Sequence, residues 1–321
     1  MNIVVLDGYT LNPGDLTWDG IKQFGNLKVF DRTAYNDEAI IENIGDAEII
    51  FSNKTPINQF VIKNTPNLKY IGVLATGFNV IDVDFAKNKG ITVTNVPDYS
   101  STAVAQFTLA LLLEMCHRIG AHSSAVKKGE WIASKDFSFW NYPLIELSGK
   151  TMGLVGFGKI GKATAKIAQA FGLKIKVYNR TIYTEFENEN LKFVSLEELL
   201  SSTDIISLHC PLTPETENII NENNISKMKD GAMLINTSRG PLINEIDLTT
   251  ALNSGKLSGA AIDVISSEPM KENNPLLKAK NCIITPHIAW APKEARMRLM
   301  QTTIENLKAF LNGNPKNVVN R

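Results

Sequence analysis

Four histidines stand in this sequence, and each is a candidate proton donor, because imidazole is the side chain that gains and loses a proton near neutral pH. His117 and His122 lie in or just after a long apolar helical pattern, which suits structural roles. His209 closes an apolar strand pattern. His287 stands in Thr285-Pro286-His287-Ile288-Ala289-Trp290, directly beyond another strand pattern, where open α/β sheets collect their ligands. Two charged residues occupy equivalent places. Arg239, in Asn236-Thr237-Ser238-Arg239-Gly240, follows a strand, and its planar fork suits a bidentate grip on a carboxylate. Glu268, in Asp263-Val264-Ile265-Ser266-Ser267-Glu268-Pro269, follows a further strand and is placed to hold and polarise an imidazole. Taken singly, Arg239 and Glu268 are equally surface ion-pair residues. Taken together, an acid–base group, a carboxylate to orient it and a clamp describe proton exchange with a small organic acid.

Elements that would position these groups start with Thr151–Gly161, TMGLVGFGKIG. Three apolar residues lead into Gly156, Gly158 and Gly161 at G-x-G-x-x-G spacing. That pattern supplies a tight turn, a close backbone approach and free N–H groups at a helix N-terminus, as a dinucleotide pyrophosphate requires. The triplet alone is equally a plain turn. Its surroundings decide, since Ile160, Ala163, Ile167 and Phe171 recur at helical steps, Gly172 stops the helix, and Lys174–Tyr178 forms a second strand. The unit is strand, glycine turn, helix, strand.

Composition narrows the partners. Thirty-three basic residues balance thirty-three acidic ones in 321, so there is no electrostatic case for nucleic acid or an anionic membrane. Cys116, Cys210 and Cys282 show neither disulfide nor metal spacing. The opening MNIVVLDG enters a strand directly, and no apolar run approaches a membrane span. A cytoplasmic protein acting on small molecules is expected, with no metal.

Before the glycine turn, short apolar runs at Ile3–Leu6, Leu27–Phe30, Glu48–Phe51, Tyr70–Val73 and Ile91–Thr94 alternate with helical segments such as Asp37–Ile44 and Asp82–Asn88, which implies a parallel sheet. After Tyr70–Val73 comes Leu74–Asn79, where the N–H groups of Thr76 and Gly77 are placed to meet an anion. Lys54 follows the Glu48–Phe51 strand. A helix over Ser101–Ile119, apolar on most sides, must be buried between domains or against a second subunit. Gly120–Gly149 reads as a long irregular loop carrying Trp131, Phe137, Phe139 and Trp140. Later strands are expected at Phe193–Val194, Ile205–His209, Met233–Asn236, Gly259–Asp263 and Cys282–Thr285, helices at Leu196–Leu200, Glu245–Leu252 and Lys293–Leu311, and a short tail.

From about residue 50 onward, LINTSRGPLINE, DVISSEP and ITPHIAWA resemble the D-isomer-specific 2-hydroxyacid dehydrogenases, in wording nearest their glycerate dehydrogenase (hydroxypyruvate reductase) branch. The resemblance implies an α/β protein of two doubly wound parallel-sheet domains, a Rossmann cofactor domain (101–288) inserted into a flavodoxin-like substrate domain (1–100 and 289–321). It implies Arg239, Glu268 and His287 as the catalytic set. It also implies reduction of a small 2-oxo acid to a D-2-hydroxy acid, with hydroxypyruvate or glyoxylate favoured by Trp290, which either narrows the pocket or packs at a domain interface. Lys54, Thr76, Gly77, Arg239 and Trp290 form the expected substrate set. A homodimer is implied, with Trp140 reaching a neighbouring subunit. A phosphoglycerate-type dehydrogenase and a nicotinamide-responsive regulatory binding protein of the same fold remain as alternatives.

The expected cofactor residues are Gly156, Gly158, Lys159, Ile160, Asn179, Arg180, Thr181, His209, Cys210, Pro211, Thr237, Ser238 and Asp263. NAD-type sites place an acid about twenty residues beyond the glycines. Here Asn179 stands in that place, and Arg180 beside it is suited to a 2′-phosphate. The pair favours NADP(H), with NAD(H) retained.

Overall fold

A computed structural model describes residues 1–321. The chain forms two units, Met1–Ser100 with Ala291–Arg321, and Ser101–Trp290.

In the first unit the strands β1 (Asn2–Val5), β2 (Asn26–Val29), β3 (Ile49–Ser52), β4 (Tyr70–Val73) and β5 (Thr92–Thr94) are all parallel, in the order β2-β1-β3-β4-β5. This is the flavodoxin-like order. β3 and β4 are central and buried at every position, which explains their continuous apolar wording, whereas edge strand β2 alternates between exposed and half-buried. Helices α1 (Asp19–Lys22), α2 (Asp37–Ile44), α3 (Gln59–Lys63) and α4 (Val83–Asn88) connect them. Asn36, Asn58 and Asp82 start the last three by accepting the N–H groups of Ala39, Val61 and Phe85. At the reversal of strand order, the Asp7 carboxylate beyond β1 accepts the N–H groups of Asn53, Lys54 and Thr55 beyond β3. That buried acid fixes the loop carrying Lys54.

The second unit contains α5 (Ser101–His117), α6 (Ile119–Lys127), β6 (Thr151–Val155), α7 (Lys159–Ala170), β7 (Lys174–Tyr178), β8 (Leu191–Phe193), α8 (Leu196–Ser202), β9 (Ile205–Leu208), α9 (Glu222–Lys227), β10 (Ala232–Asn236), α10 (Glu245–Ser254), β11 (Leu257–Ile262) and β12 (Cys282–Ile284). Its seven strands are parallel, in the order β12-β11-β10-β9-β6-β7-β8. One core lies between the sheet and α8, α9 and α10, and the other between the sheet and α5 and α7. This is the doubly wound arrangement of a Rossmann domain, with its change of direction between β6 and β9. The chain then re-enters the first unit as α11 (Lys293–Leu311). Arg296 of α11 grips both Asp15 carboxylate oxygens at 2.7 Å and donates to the Leu11 carbonyl.

Three expectations need correction. The apolar surface of α5 is buried largely within its own unit, where Leu109, Leu112 and Met115 join the core beside α7. The segment after it is not irregular throughout: Arg118, at φ +47°, breaks the helix, and α6 starts again at Ile119. The second junction falls after Trp290 rather than before Ala289, because the Ala289 N–H is bound to the Asp263 carboxylate and stays with the second unit. The short tail follows α11 as expected, and its Val319 N–H donates to the Val93 carbonyl of β5. No helix is long and apolar enough to cross a membrane.

Candidate active site

Strands β10, β11 and β12 are adjacent and parallel, so the segments beyond them leave from one edge of the sheet, and they carry Arg239, Glu268 and His287 in turn. His287 Nδ1 lies 2.7 Å from Glu268 Oε2, with the two side chains 28% and 34% exposed. A carboxylate accepts only, so Nδ1 carries the proton in this pair. Nε2, the far nitrogen, has no partner in the chain and is the atom left for proton exchange.

Buried Asp263 shapes the loop beneath this pair. Its carbonyl accepts the His287 N–H at 2.8 Å. Its carboxylate accepts the Thr285 hydroxyl at 2.6 Å and the Ile288 and Ala289 N–H groups at 2.9 Å each. The turn runs through His287 at φ +54°, a left-handed position uncommon outside glycine. The Asp263 carboxylate is thus engaged on both oxygens in holding the His287 loop.

Glu268 has its own support. Glu245, at the start of α10, accepts the Ser266 N–H at 2.7 Å through one carboxylate oxygen and the Asn274 amide at 2.9 Å through the other. A Cβ on Gly240 would collide with the Ile265 carbonyl, so glycine there lets the Arg239 segment lie directly against the Glu268 loop. Fully buried Asn236 shapes the Arg239 turn, accepting the Ser238 N–H at 3.0 Å and donating to the Arg239 carbonyl at 2.8 Å. The Arg239 side chain is exposed, and its one hydrogen bond, to the Ser238 carbonyl at 2.7 Å, leaves most of its donors for an external anion.

The glycine turn opens at the β6/β9 reversal. Gly156, at φ +101°, is packed so closely on His209 and Cys210 that a Cβ there would lie 2.5 Å from the Cys210 nitrogen. A Cβ on Gly161 would strike the Gly156 carbonyl. In front of Gly158, by contrast, a Cβ would meet nothing within 4 Å, and α7 begins here without a side-chain cap. Open space facing the uncapped first turn at Lys159 and Ile160 fits a dinucleotide pyrophosphate.

Asn179 accepts the Phe157 N–H at 3.0 Å and donates to the Thr181 carbonyl at 2.6 Å, so its amide braces the turn. Arg180 is exposed. Glu215 lies opposite: a hydrogen bond from Thr213, its own backbone N–H and the charge of Arg180 hold its carboxyl below the usual range, against a smaller opposing effect of desolvation. His209 bonds to Ser207 at 2.9 Å, and burial pushes its imidazole down to about 4, while burial pushes the Cys210 thiol up to about 11. The carbonyls of Cys210 and Pro211 accept the hydroxyls of Ser238 and Thr216, each at 2.7 Å. The Thr237 hydroxyl meets that of Thr108 in α5 at 3.0 Å. Trp290 is half-buried.

In the first unit, Thr76 and Gly77 follow β4, and their N–H groups have no hydrogen-bond partner in the chain. The Thr76 carbonyl and hydroxyl are tied to Asn95 and Val96. The Lys54 side chain is exposed. Sequence reasoning missed Glu245, whose acid at a helix start reads as an ordinary response to the helix dipole. The holding role of Asp263 went unread as well.

With this geometry in view, the class is defined: the model for the NAD-binding domain of D-isomer specific 2-hydroxyacid dehydrogenases matches residues 109–289, and the chain belongs to that family. It is 57% identical over 322 residues to the hydroxypyruvate reductase of Blautia hydrogenotrophica, covering 100% of both chains. Among solved structures, it resembles D-lactate dehydrogenase from Aquifex aeolicus complexed with NAD and lactic acid, at TM-score 0.86 and 31% identity over 100% of this chain and 99% of that one. An acyclic imino acid reductase in complex with NADPH and D-Arg gives a TM-score of 0.85 and 33% identity over 99% and 100%.

Proposed function

We propose that this chain is an NAD(P)H-dependent reductase of small 2-oxo acids, acting on hydroxypyruvate and glyoxylate to give D-glycerate and glycolate. The observation that carries the reading is the His287–Glu268 pair at 2.7 Å, with Arg239 on the neighbouring strand end. The full-length likeness to a hydroxypyruvate reductase supports the choice of substrate.

When bound, a reduced nicotinamide dinucleotide supplies a hydride to C2 of the oxo acid. His287 gives its Nε2 proton to the oxygen that becomes the hydroxyl. Glu268 accepts from Nδ1 and so holds the ring with Nε2 directed away from the pair before the transfer. Arg239 grips the substrate carboxylate and offsets charge growing on the carbonyl oxygen. Thr76, Gly77 and Lys54 are the donors that this reading assigns to substrate from Met1–Ser100 with Ala291–Arg321, the unit it takes as the substrate domain; Trp290 limits the side chain accepted. Gly156, Gly158, Lys159 and Ile160 receive the pyrophosphate, His209–Pro211 and Thr237–Ser238 line the dinucleotide, and Asn179–Thr181 receive the adenosine ribose. Arg180 favours NADP(H). A cytoplasmic homodimer completes the proposal, supported by free cysteines and by Ile132 and Phe137, each 91% exposed.

The test follows NADH and NADPH absorbance against a panel of 2-oxo acids. Turnover of hydroxypyruvate or glyoxylate is expected, and silence across the panel would overturn the reading. A preference for NADH above about tenfold, a difference of about 1.4 kcal/mol, would remove the role given to Arg180.

A further inference from the structure

The glycine turn is backed by an aromatic cluster that proton and hydride transfer leave unused. Phe157, inside the turn, is 2% exposed. Its ring stands edge-on to Phe186 and Phe193, at centroid distances of 5.5 and 5.3 Å. Tyr183 packs beside the same two rings at 6.4 Å. Onto this cluster Lys162, in the first turn of α7, lays its ammonium 4.3 Å from the centroids of both Tyr183 and Phe186. A cation within about 6 Å of a ring face is attracted by the negative charge of that face.

Tyr183 and Phe186 belong to the excursion between β7 and β8, and that excursion opens with Asn179-Arg180-Thr181. Its far end is tied to the flanking strands, where Glu187 accepts the Phe193 N–H at 2.9 Å, the Asn188 N–H donates to the Leu191 carbonyl at 3.0 Å and the Asn190 carbonyl accepts the Ile175 N–H at 2.8 Å, while Ile182, next to the opening residues, is 62% exposed. Lys162 therefore joins the helix that meets the pyrophosphate to the segment that meets the ribose.

We propose that Lys162 is a positioning residue for dinucleotide binding: it pins Tyr183 and Phe186 to α7 and so holds Asn179–Thr181 in the conformation that receives the adenosine ribose. The inference rests on the cofactor reading above. On this account Lys162 does not touch the dinucleotide. It acts before binding, by keeping the receiving conformation populated, and a receptor populated only in part binds more weakly in proportion.

The experiment compares the full-length protein with Lys162→Met, which keeps the aliphatic stem and removes the charge, and with Lys162→Arg, which keeps the cation. Hydrogen exchange over Thr181–Asn190 is read without cofactor, and NADH and NADPH are each titrated directly. Lys162→Met is expected to raise exchange in that segment and to weaken both dinucleotides by a similar factor, about three- to tenfold, with Lys162→Arg restoring both. Unchanged exchange and affinity overturn the proposal. So does a loss confined to NADPH with exchange unchanged, which makes Lys162 a direct phosphate contact. Failure of the unaltered protein to bind either dinucleotide overturns the cofactor reading itself, and is seen before any substitution is made.

Discussion

Replacing Asp263 with Asn separates two roles for one buried carboxylate. Its oxygens accept three donors: the Thr285 hydroxyl and the Ile288 N–H on one side, the Ala289 N–H on the other. An Asn of the same shape has one accepting oxygen, so its NH2 group faces a backbone N–H whichever way the amide turns. A buried donor left unpaired costs about 1–3 kcal/mol. The bonds that survive lose their charge assistance, which roughly halves their strength. A total near 2–4 kcal/mol follows, and for a unit of this size that lowers Tm by roughly 5–15 °C. The same loop carries His287, and a shift of about 1 Å in a reacting group costs up to about a hundredfold in rate. Asp263→Asn is therefore expected to lower both Tm, read by circular dichroism, and kcat, while the Kd for dinucleotide stays within about twofold. An unchanged Tm with a weakened dinucleotide would refute the holding role and restore the residue to cofactor contact.

Removing the imidazole in His287→Ala should lower kcat/KM by about 10²–10⁴-fold with the fold intact by circular dichroism, and near-normal turnover would end its assignment as the proton donor. Arg239→Lys keeps the charge and loses the fork, so kcat/KM should fall at least about tenfold, and unchanged kinetics would count against the clamp. Gly240→Ala forces the Arg239 and Glu268 segments apart, and a loss of about 2 kcal/mol in stability, together with activity, is expected in denaturant titration. His209 is held neutral down to about pH 4, whereas an unfolded histidine takes up its proton near 6.5. The unfolded state thus binds more protons between those values, and stability falls as pH drops from about 6.5 towards 4, by up to about 1.4 kcal/mol per unit, with no such slope above 6.5. His209→Gln should flatten that part of the stability profile.

Much of this arrangement is legible in the sequence because its signals are local. The glycines announce the turn at β6, and Arg239, Glu268 and His287 each sit a few residues beyond a strand whose apolar wording is plain. The strand order that sets them side by side has no local signal and came from resemblance. Short helices such as α3 and α9 escape notice because one turn and a half presents no periodicity. α6 escapes because its run of Gly, His and Ser has weak helical propensity. Supporting residues are hidden for another reason: Glu245 reaches Ser266 across 21 positions and Asp263 reaches Ile288 across 25, and nothing in either stretch names the partner. The burial of α5 was legible, and what buries it was not, since a helix apolar on most sides looks alike against its own sheet and against a neighbour.

The Arg296–Asp15 pair also bears on the order in which the protein is made. Asp15 leaves the ribosome early, but its partner lies in Ala291–Arg321, synthesised after all of Ser101–Trp290. The unit that opens the chain is thus the one completed later, and during translation its first hundred residues wait without α11 while the inserted unit already has every strand it needs.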